Sequence, residues 1–245
     1  MKHSFFCRLL LLLLTCCLLV SLAGCALRNV VRSKKTESDA SDETSDASAE
    51  PSSDSSSVLV DPADETTVEK LTDAQKEMLS ALLAQLEQEL TSRLGELGVD
   101  LDIDEQTCEI TLPAAILFPG DSSELSQEGK DFLARYVTIY NDVILNNVYE
   151  DYIGYILIEG HTAPLAGSTH ESGMPLSTAR ANAVRDFCLS EEAGTSAENR
   201  ELLQYVLVAM GSSNDRPVKR ADGTVDMAAS RRVTFRVLFV IPEEP

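Results

Sequence analysis

Residues 158–184 read IEGHTAPLAGSTHESGMPLSTARANAV, and the turn inside them decides how the rest of the chain is read. Tyr155, Ile156, Leu157, Ile158 and Glu159 have the look of a buried strand that runs into Gly160-His161-Thr162. A loop rich in Gly, Ser and Pro follows. The spacing then predicts a helix from Ser177 to about Ser190 that buries Ala183, Val184, Phe187 and Cys188. Strand end, loop and helix start together are a common way to build a small-ligand site. Ser177 suits the N-cap, where its hydroxyl accepts from an unpaired backbone N–H, and Leu176 can staple onto Ala181. Arg180 would fall in the first helical turn, where a cation opposes the helix dipole. Either an anion sits beside it, or the Arg is exposed and screened by solvent.

The flanking segments alternate between strand and helix patterns. Cys108, Ile110 and Leu112 alternate, and residues 114–118 are apolar, which predicts strand one. Ser126 can cap a helix whose inner face is Phe132, Leu133, Tyr136, Tyr140, Val143 and Ile144. Residues 153–159 read as a central strand covered on both faces. Residues 198–204 suggest a short helix and 205–210 strand three. In the last strand Val233, Phe235, Val237 and Phe239 share one face. The fold class expected is α/β: a two-layer sandwich with one mixed four-stranded sheet and helices packed on one face.

Before this domain, at 99–245, Thr72 and Gln75 mark a capping box that opens an amphipathic helix over 72–98. Leu79, Leu83, Leu86, Leu90, Leu94 and Leu97 recur at spacings of four and three. That stripe either packs on the following domain or forms a coiled coil between two protomers, a homodimer. Residues 25–71 read as a disordered acidic Ser-rich linker. Ten carboxylates from Glu37 to Glu65, with no Lys or Arg among them, supply half of the formal net charge of −20. Such a chain averages about 40 Å end to end and reaches about 160 Å when extended. The acidity argues against a nucleic-acid partner.

Residues 1–24 form a signal peptide: Lys2 and Arg8, the apolar run 9–20, then Leu22-Ala23-Gly24 before Cys25. Small residues followed at once by Cys resemble a bacterial lipobox. This implies lipid attachment at Cys25, palmitate-type acylation and a membrane anchor; the alternative is an ordinary signal peptide with a chance Cys. Of the remaining cysteines, Cys108 and Cys188 lie in the exported domain, as two buried thiols or as a disulfide. No metal site, cofactor motif or nucleophile motif is legible. His161 is read as tying the turn through its ring nitrogens and His170 as solvated, so no catalytic residues and no enzyme are expected.

Gly160-His161-Thr162 followed by Leu176-Ser177-x-x-Arg180-Ala181 resembles the OmpA-like (OmpA/MotB) C-terminal domain family. Phe118 to Gly129 is similar to that family's first strand exit, and Ser230-Arg231-Arg232-Val233 to its closing N-R-R-V. The resemblance covers roughly residues 101–241. It implies peptidoglycan binding through a diaminopimelate-type peptide stem, with Thr162, Ser177, Arg180, Arg231 and Arg232 as ligand-binding positions. In the family an Asp after G-H-T takes an ammonium and the Arg takes a carboxylate. Here Ala163 replaces that Asp, Gly173 replaces an Asn and Ser230 another Asn, with Glu171 or Asp226 as possible substitutes for the lost acid. The function expected is a lipid-anchored cell-envelope protein that ties a membrane, on its extracytoplasmic side, to the wall. The alternative is an envelope interaction protein that keeps the fold with a degenerate pocket and binds a protein partner.

Overall fold

The computed structural model describes residues 57–243, except 100 and 147; the signal peptide, Cys25 and the linker up to residue 56 lie outside the described residues. The organising strand is the last one, β6 (Arg232–Pro242). Val233, Phe235, Val237, Phe239 and Ile241 alternate onto one face and are essentially fully buried, as period-two patterning requires. Along one edge β6 pairs antiparallel with β4 (Ile153–His161). Its other edge is shared end to end. β3 (Ile110–Pro113) takes Arg232 to Phe235, and β1 (Ser57–Val60) takes Phe239 to Pro242. β2 (Asp102–Ile103) lies outside β3, and β5 (Leu207–Gly211) runs parallel to β4. The mixed sheet therefore has order β2-β3-β6-β4-β5, with β1 added beside β6.

Six strands replace the expected four. β1 hides in a Ser-rich acidic segment and β2 has two residues, too few for either to show a period. The described fold consequently takes in residues from Ser57 on, inside the expected linker, and continues into α1 (Glu65–Glu69). Asp61, Asp64 and Glu65 belong to the fold rather than to a tether. Before Ser57 the cations Lys2, Arg8, Arg28, Arg32, Lys34 and Lys35 nearly cancel the seven acids from Glu37 to Asp54, so almost all of the net negative charge sits on residues 57–245.

Helix α2 (Asp73–Leu94) opens with the expected capping box: Gln75 N–H donates to Thr72 Oγ1 at 3.3 Å, and Thr72 N–H to Gln75 Oε1 at 3.0 Å. The Gln75 amide also donates to the Pro242 carbonyl at 2.8 Å, tying the helix start to the end of β6. The leucine stripe faces inward. Leu79, Leu83, Leu86, Leu90, Leu94 and Leu97 are at most 8% exposed, packed with α4 (Gln127–Ile144) and β6. This corrects the coiled-coil expectation: the apolar seam is used up inside one chain and is not available to a second protomer. The inner face of α4 is the one expected, with Tyr136 and Tyr140 packed edge-on to Phe235 at 5.1 and 5.5 Å.

Two further boundaries move. Residues Ala114–Leu117 form one helical turn, α3, instead of continuing strand one. The segment before β5 is helix α6 (Ala197–Val206), so strand three starts at Leu207 and not at Tyr205. Cys108 and Cys188 are both buried free thiols, without a disulfide, and burial raises each to about 12.

Leu86→Asp combined with Leu90→Asp should unfold the domain rather than separate protomers, because each places an unpaired charge in a core at a cost of several kcal/mol. Denaturant unfolding followed by circular dichroism tests this. A double variant that keeps the wild-type midpoint would contradict the intramolecular packing.

Candidate functional site

The turn after β4 is built by close approach. Gly160 and Gly211 are register partners in β4 and β5. A Cβ on Gly160 would run into the Ser177 backbone, and one on Gly211 into Thr178 and the Ser177 hydroxyl. The helix above them, α5, spans His170–Cys188 and starts well before the expected Ser177. Its cap is Thr169, in a reciprocal capping box with Ser172. Pro175 costs one backbone donor inside this helix, and the sequence therefore read as loop. The first turns hold because Ser213 Oγ donates to the His170 carbonyl at 2.7 Å.

Ser177 is accordingly mid-helix and fully buried, not an N-cap. Its hydroxyl donates to Met174 O and accepts from Ser213 N–H, both at 3.1 Å. Thr162 follows β4 and donates its N–H to Ser213 O at 2.7 Å. Gly173 has a packing reason as well: a Cβ there would strike Ser213 Oγ and Thr162 Oγ1. An Asn at 173 would require the Ser213 and Thr162 hydroxyls to move.

Arg180 is 1% exposed, neither in a first turn nor screened by solvent. Its Nε donates to Ser122 O at 2.9 Å and Nη2 to Gly120 O at 2.7 Å. The guanidinium lies 5.1 Å from the centre of the Phe118 ring, a cation–π contact. Nη1 is buried without a partner. Burial lowers the pKa of Arg180 below the usual arginine value; Asp121 opposes the shift and Arg231 adds to it. Asp121 and Arg231 are therefore both near enough to act on Arg180. Arg231 is half-buried, its carbonyl accepting from Ala114 N–H at 2.9 Å.

Arg232 goes elsewhere. It faces away from the helices, with Nη1 on Arg216 O at 3.1 Å. On that outer face lies an ion network the sequence reading missed. Glu159 accepts from Ser212 Oγ and pairs with Arg216. Arg236 bridges Glu109 at 3.3 Å, Asp61 at 3.3 Å and Glu159 at 3.7 Å. The available signal was charge inside strands that otherwise read as apolar: Glu159 in β4 and Arg236 in β6. Burial works against the Glu159 carboxylate, yet the hydrogen bond from Ser212 and the Arg216 charge hold its pKa below the usual value. At Glu109 burial prevails over Arg216 and Arg236 and raises it.

His161 does not tie the turn: both ring nitrogens are buried without a hydrogen bond. Burial, with Arg232 next, lowers its pKa to about 3, against the pull of Glu159. His170 is paired, with Nδ1 2.7 Å from Asp215 Oδ1. Of the suggested substitute acids, Asp226 is committed to capping α7 (Met227–Ser230) and to Arg220. Glu171 is exposed in the first turn of α5. Ala163 is 7% exposed and brings no charge. Among the described residues no group of three His, Cys, Asp or Glu is placed to hold a metal, and no helix is long and apolar enough to cross a membrane.

No model of a known protein family matches the chain. A curated relative, Zorya protein ZorB of Escherichia coli (strain Crooks), is 30% identical over 150 residues, 57% of this chain and 60% of that protein. The chain thus spans less than two thirds of that relative's length. Among solved structures, a MotB-like protein of Desulfovibrio vulgaris is 23% identical with a TM-score of 0.47, covering 70% of this chain and 97% of that one. The cell wall anchor of the T6SS from Pseudomonas aeruginosa is 22% identical with a TM-score of 0.42, covering 64% and 98%. The chain resembles the OmpA/MotB group. The likeness to the solved structures concerns the fold, an open mixed sheet with packed helices.

The buried histidine gives a pH dependence with a definite sign. His161 is neutral when folded, so the unfolded chain binds more protons between the ordinary histidine pKa and about 3. Stability should fall as pH drops through that window, by at most about 1.4 kcal/mol per pH unit from this group. Melting temperatures from pH 7 to 4 should show a shallower decline in His161→Gln than in wild type. Parallel curves would mean that His161 titrates normally.

Proposed function

We propose that this domain anchors a bacterial envelope protein non-covalently to peptidoglycan, binding an anionic end of the peptide stem at Arg180 and Arg231. The observation that carries the reading is the desolvated Arg180 guanidinium, with Nη1 unsatisfied and a second cation beside it. A buried cation with an open donor is costly until an acceptor arrives, and a carboxylate is a stronger acceptor than a peptide carbonyl. In the present arrangement the carbonyls of Gly120 and Ser122 occupy the other guanidinium nitrogens. Ligand entry therefore requires the 118–122 loop to lift and trade these contacts for a carboxylate.

Asp121 takes the part that Ala163 gives up. It is exposed and close enough to Arg180 to act on its pKa. A zwitterionic diaminopimelate end would meet Arg180 with its carboxylate and Asp121 with its ammonium. On this reading the acidic segment before Ser57 is the tether and Cys25 the lipid attachment point, on the extracytoplasmic side of a membrane. The name of one structural neighbour, a cell wall anchor, is in keeping with an anchoring role.

A second reading has its own support. Arg180 already serves as a clamp between α5 and the 118–122 loop, and the acid after Gly160-His161-Thr162 is absent. The fold would then be kept and the wall ligand lost, with a protein partner in its place.

Titration of the exported chain with muropeptide separates the two. Asp121→Asn and Arg231→Gln, both at positions that leave the core intact, should each weaken binding roughly ten- to a hundredfold, about 1.5–3 kcal/mol. Arg180→Ala should abolish it. Absence of binding in wild type, with binding gained in Ala163→Asp, would establish the second reading.

A further inference from the structure

A groove lies at the far end of α2, away from Arg180. It encloses about 510 Å³. Its apolar wall includes Val99, Leu101 and Ile103, half-buried, and its rim is Glu87, Asp102 and Glu105. No cation lines it, and none of these three carboxylates forms an ion pair among the described residues. A second groove of about 350 Å³ shares Glu105 and leads back along α2 to Pro62 and Val68. Arg232 feels Asp102 and Lys76 lines the second groove, but the rim of the first is acidic throughout. An apolar trough with an acidic rim calls for an occupant that is apolar and cationic.

The chain carries such a segment just beyond its described part. Residues 27–35 read LRNVVRSKK: Leu27, Val30 and Val31 with Arg28, Arg32, Lys34 and Lys35, and no acid. Residues 36–56 connect it to Ser57. A chain of that length spans about 25 Å on average and about 70 Å fully extended. The route is short, since the second groove starts at Pro62, close after the point where the chain enters the fold. Tethering also supplies an effective concentration in the millimolar range, so weak contacts suffice.

We propose that residues 27–35 dock in this groove, their valines on Val99, Leu101 and Ile103 and their cations on Glu87, Asp102 and Glu105. The docked state folds the acidic linker into a loop and holds the domain close to its N-terminal attachment. Release lets the linker extend. The inference stands apart from the wall-binding reading, because the groove and Arg180 share no residue.

The test is zero-length carbodiimide cross-linking of the exported chain, from residue 25 with Cys25→Ser for solubility, followed by peptide mass spectrometry. Lys34 and Lys35 should couple to Glu87, Asp102 or Glu105 within the monomer. The coupling should drop at least about tenfold in roughly 0.5 M salt. It should drop likewise in Val30→Asp/Val31→Asp, which changes no described residue and should leave the melting of the domain unchanged. Cross-links scattered over acids remote from the groove, or confined to covalent dimers, would overturn the proposal, as would insensitivity to the valine changes.

Discussion

Helix α5 lies on the sheet at a distance that side chains would forbid. Gly160 and Gly211 stand side by side in β4 and β5, and the Ser177 backbone rests on the space they leave. Three consequences follow from that one contact. The Ser177 hydroxyl is brought within reach of Ser213 N–H, which fixes the loop leaving β5. Ser213 in turn holds the first turn of α5 through the His170 carbonyl. And Arg180, nearly one turn on from Ser177, is carried under the 118–122 loop, where it meets two carbonyls and the Phe118 ring. Any larger residue at either glycine would push the helix off and loosen all three together.

The opposite face of the same strands solves a different problem. Buried charges are costly unless paired and hydrogen-bonded, and here Glu159, Arg236 and Arg232 are each at most 7% exposed. Each has partners drawn from separate parts of the chain: Ser212 and Arg216 from the loop after β5, Glu109 from before β3, Asp61 from the end of β1. A hydrophobic face could bury the same area more cheaply, but it would not specify which segments cover it. The network places the loop after β5, which through Ser213 also braces the Arg180 side. The two faces of the sheet thus share one loop as their common support.

The layers of this fold were legible because its long elements carry clean periods. The inner face of α4, the alternation in β6 and the Thr72–Gln75 capping box are as the residues suggest. What failed was local. Pro175 looks like loop, yet Thr169, Ser172 and Ser213 together start the helix ahead of it. β1 is too short to announce itself among acidic and serine residues; its pairing with β6 makes it a strand. The leucine stripe of α2 was compatible with two partners, and periodicity alone cannot choose between a domain and a second helix. Of the site, the motif residues were identifiable but not their directions. Arg231 and Arg232 are adjacent in sequence and point to opposite sides, as neighbours at a strand start do.

Arg180 joins these points into one energetic argument. Its guanidinium holds the 118–122 loop down with two hydrogen bonds and a ring contact, yet leaves one nitrogen unsatisfied. A fully satisfied Arg would be a pure clamp; a solvent-exposed one would bind anions without restraint. The observed arrangement lies between, because any anion that reaches Arg180 must first displace the loop carbonyls, and its net gain is the difference between the two sets of contacts. That difference is small compared with either set, so substitutions in the loop can change affinity as strongly as substitutions in the pocket. On the proposed reading selectivity follows as well. A single neutral acceptor offers no more than the peptide carbonyls already provide, whereas a carboxylate beside Arg180 and Arg231 would also relieve the repulsion between a buried and a half-buried cation.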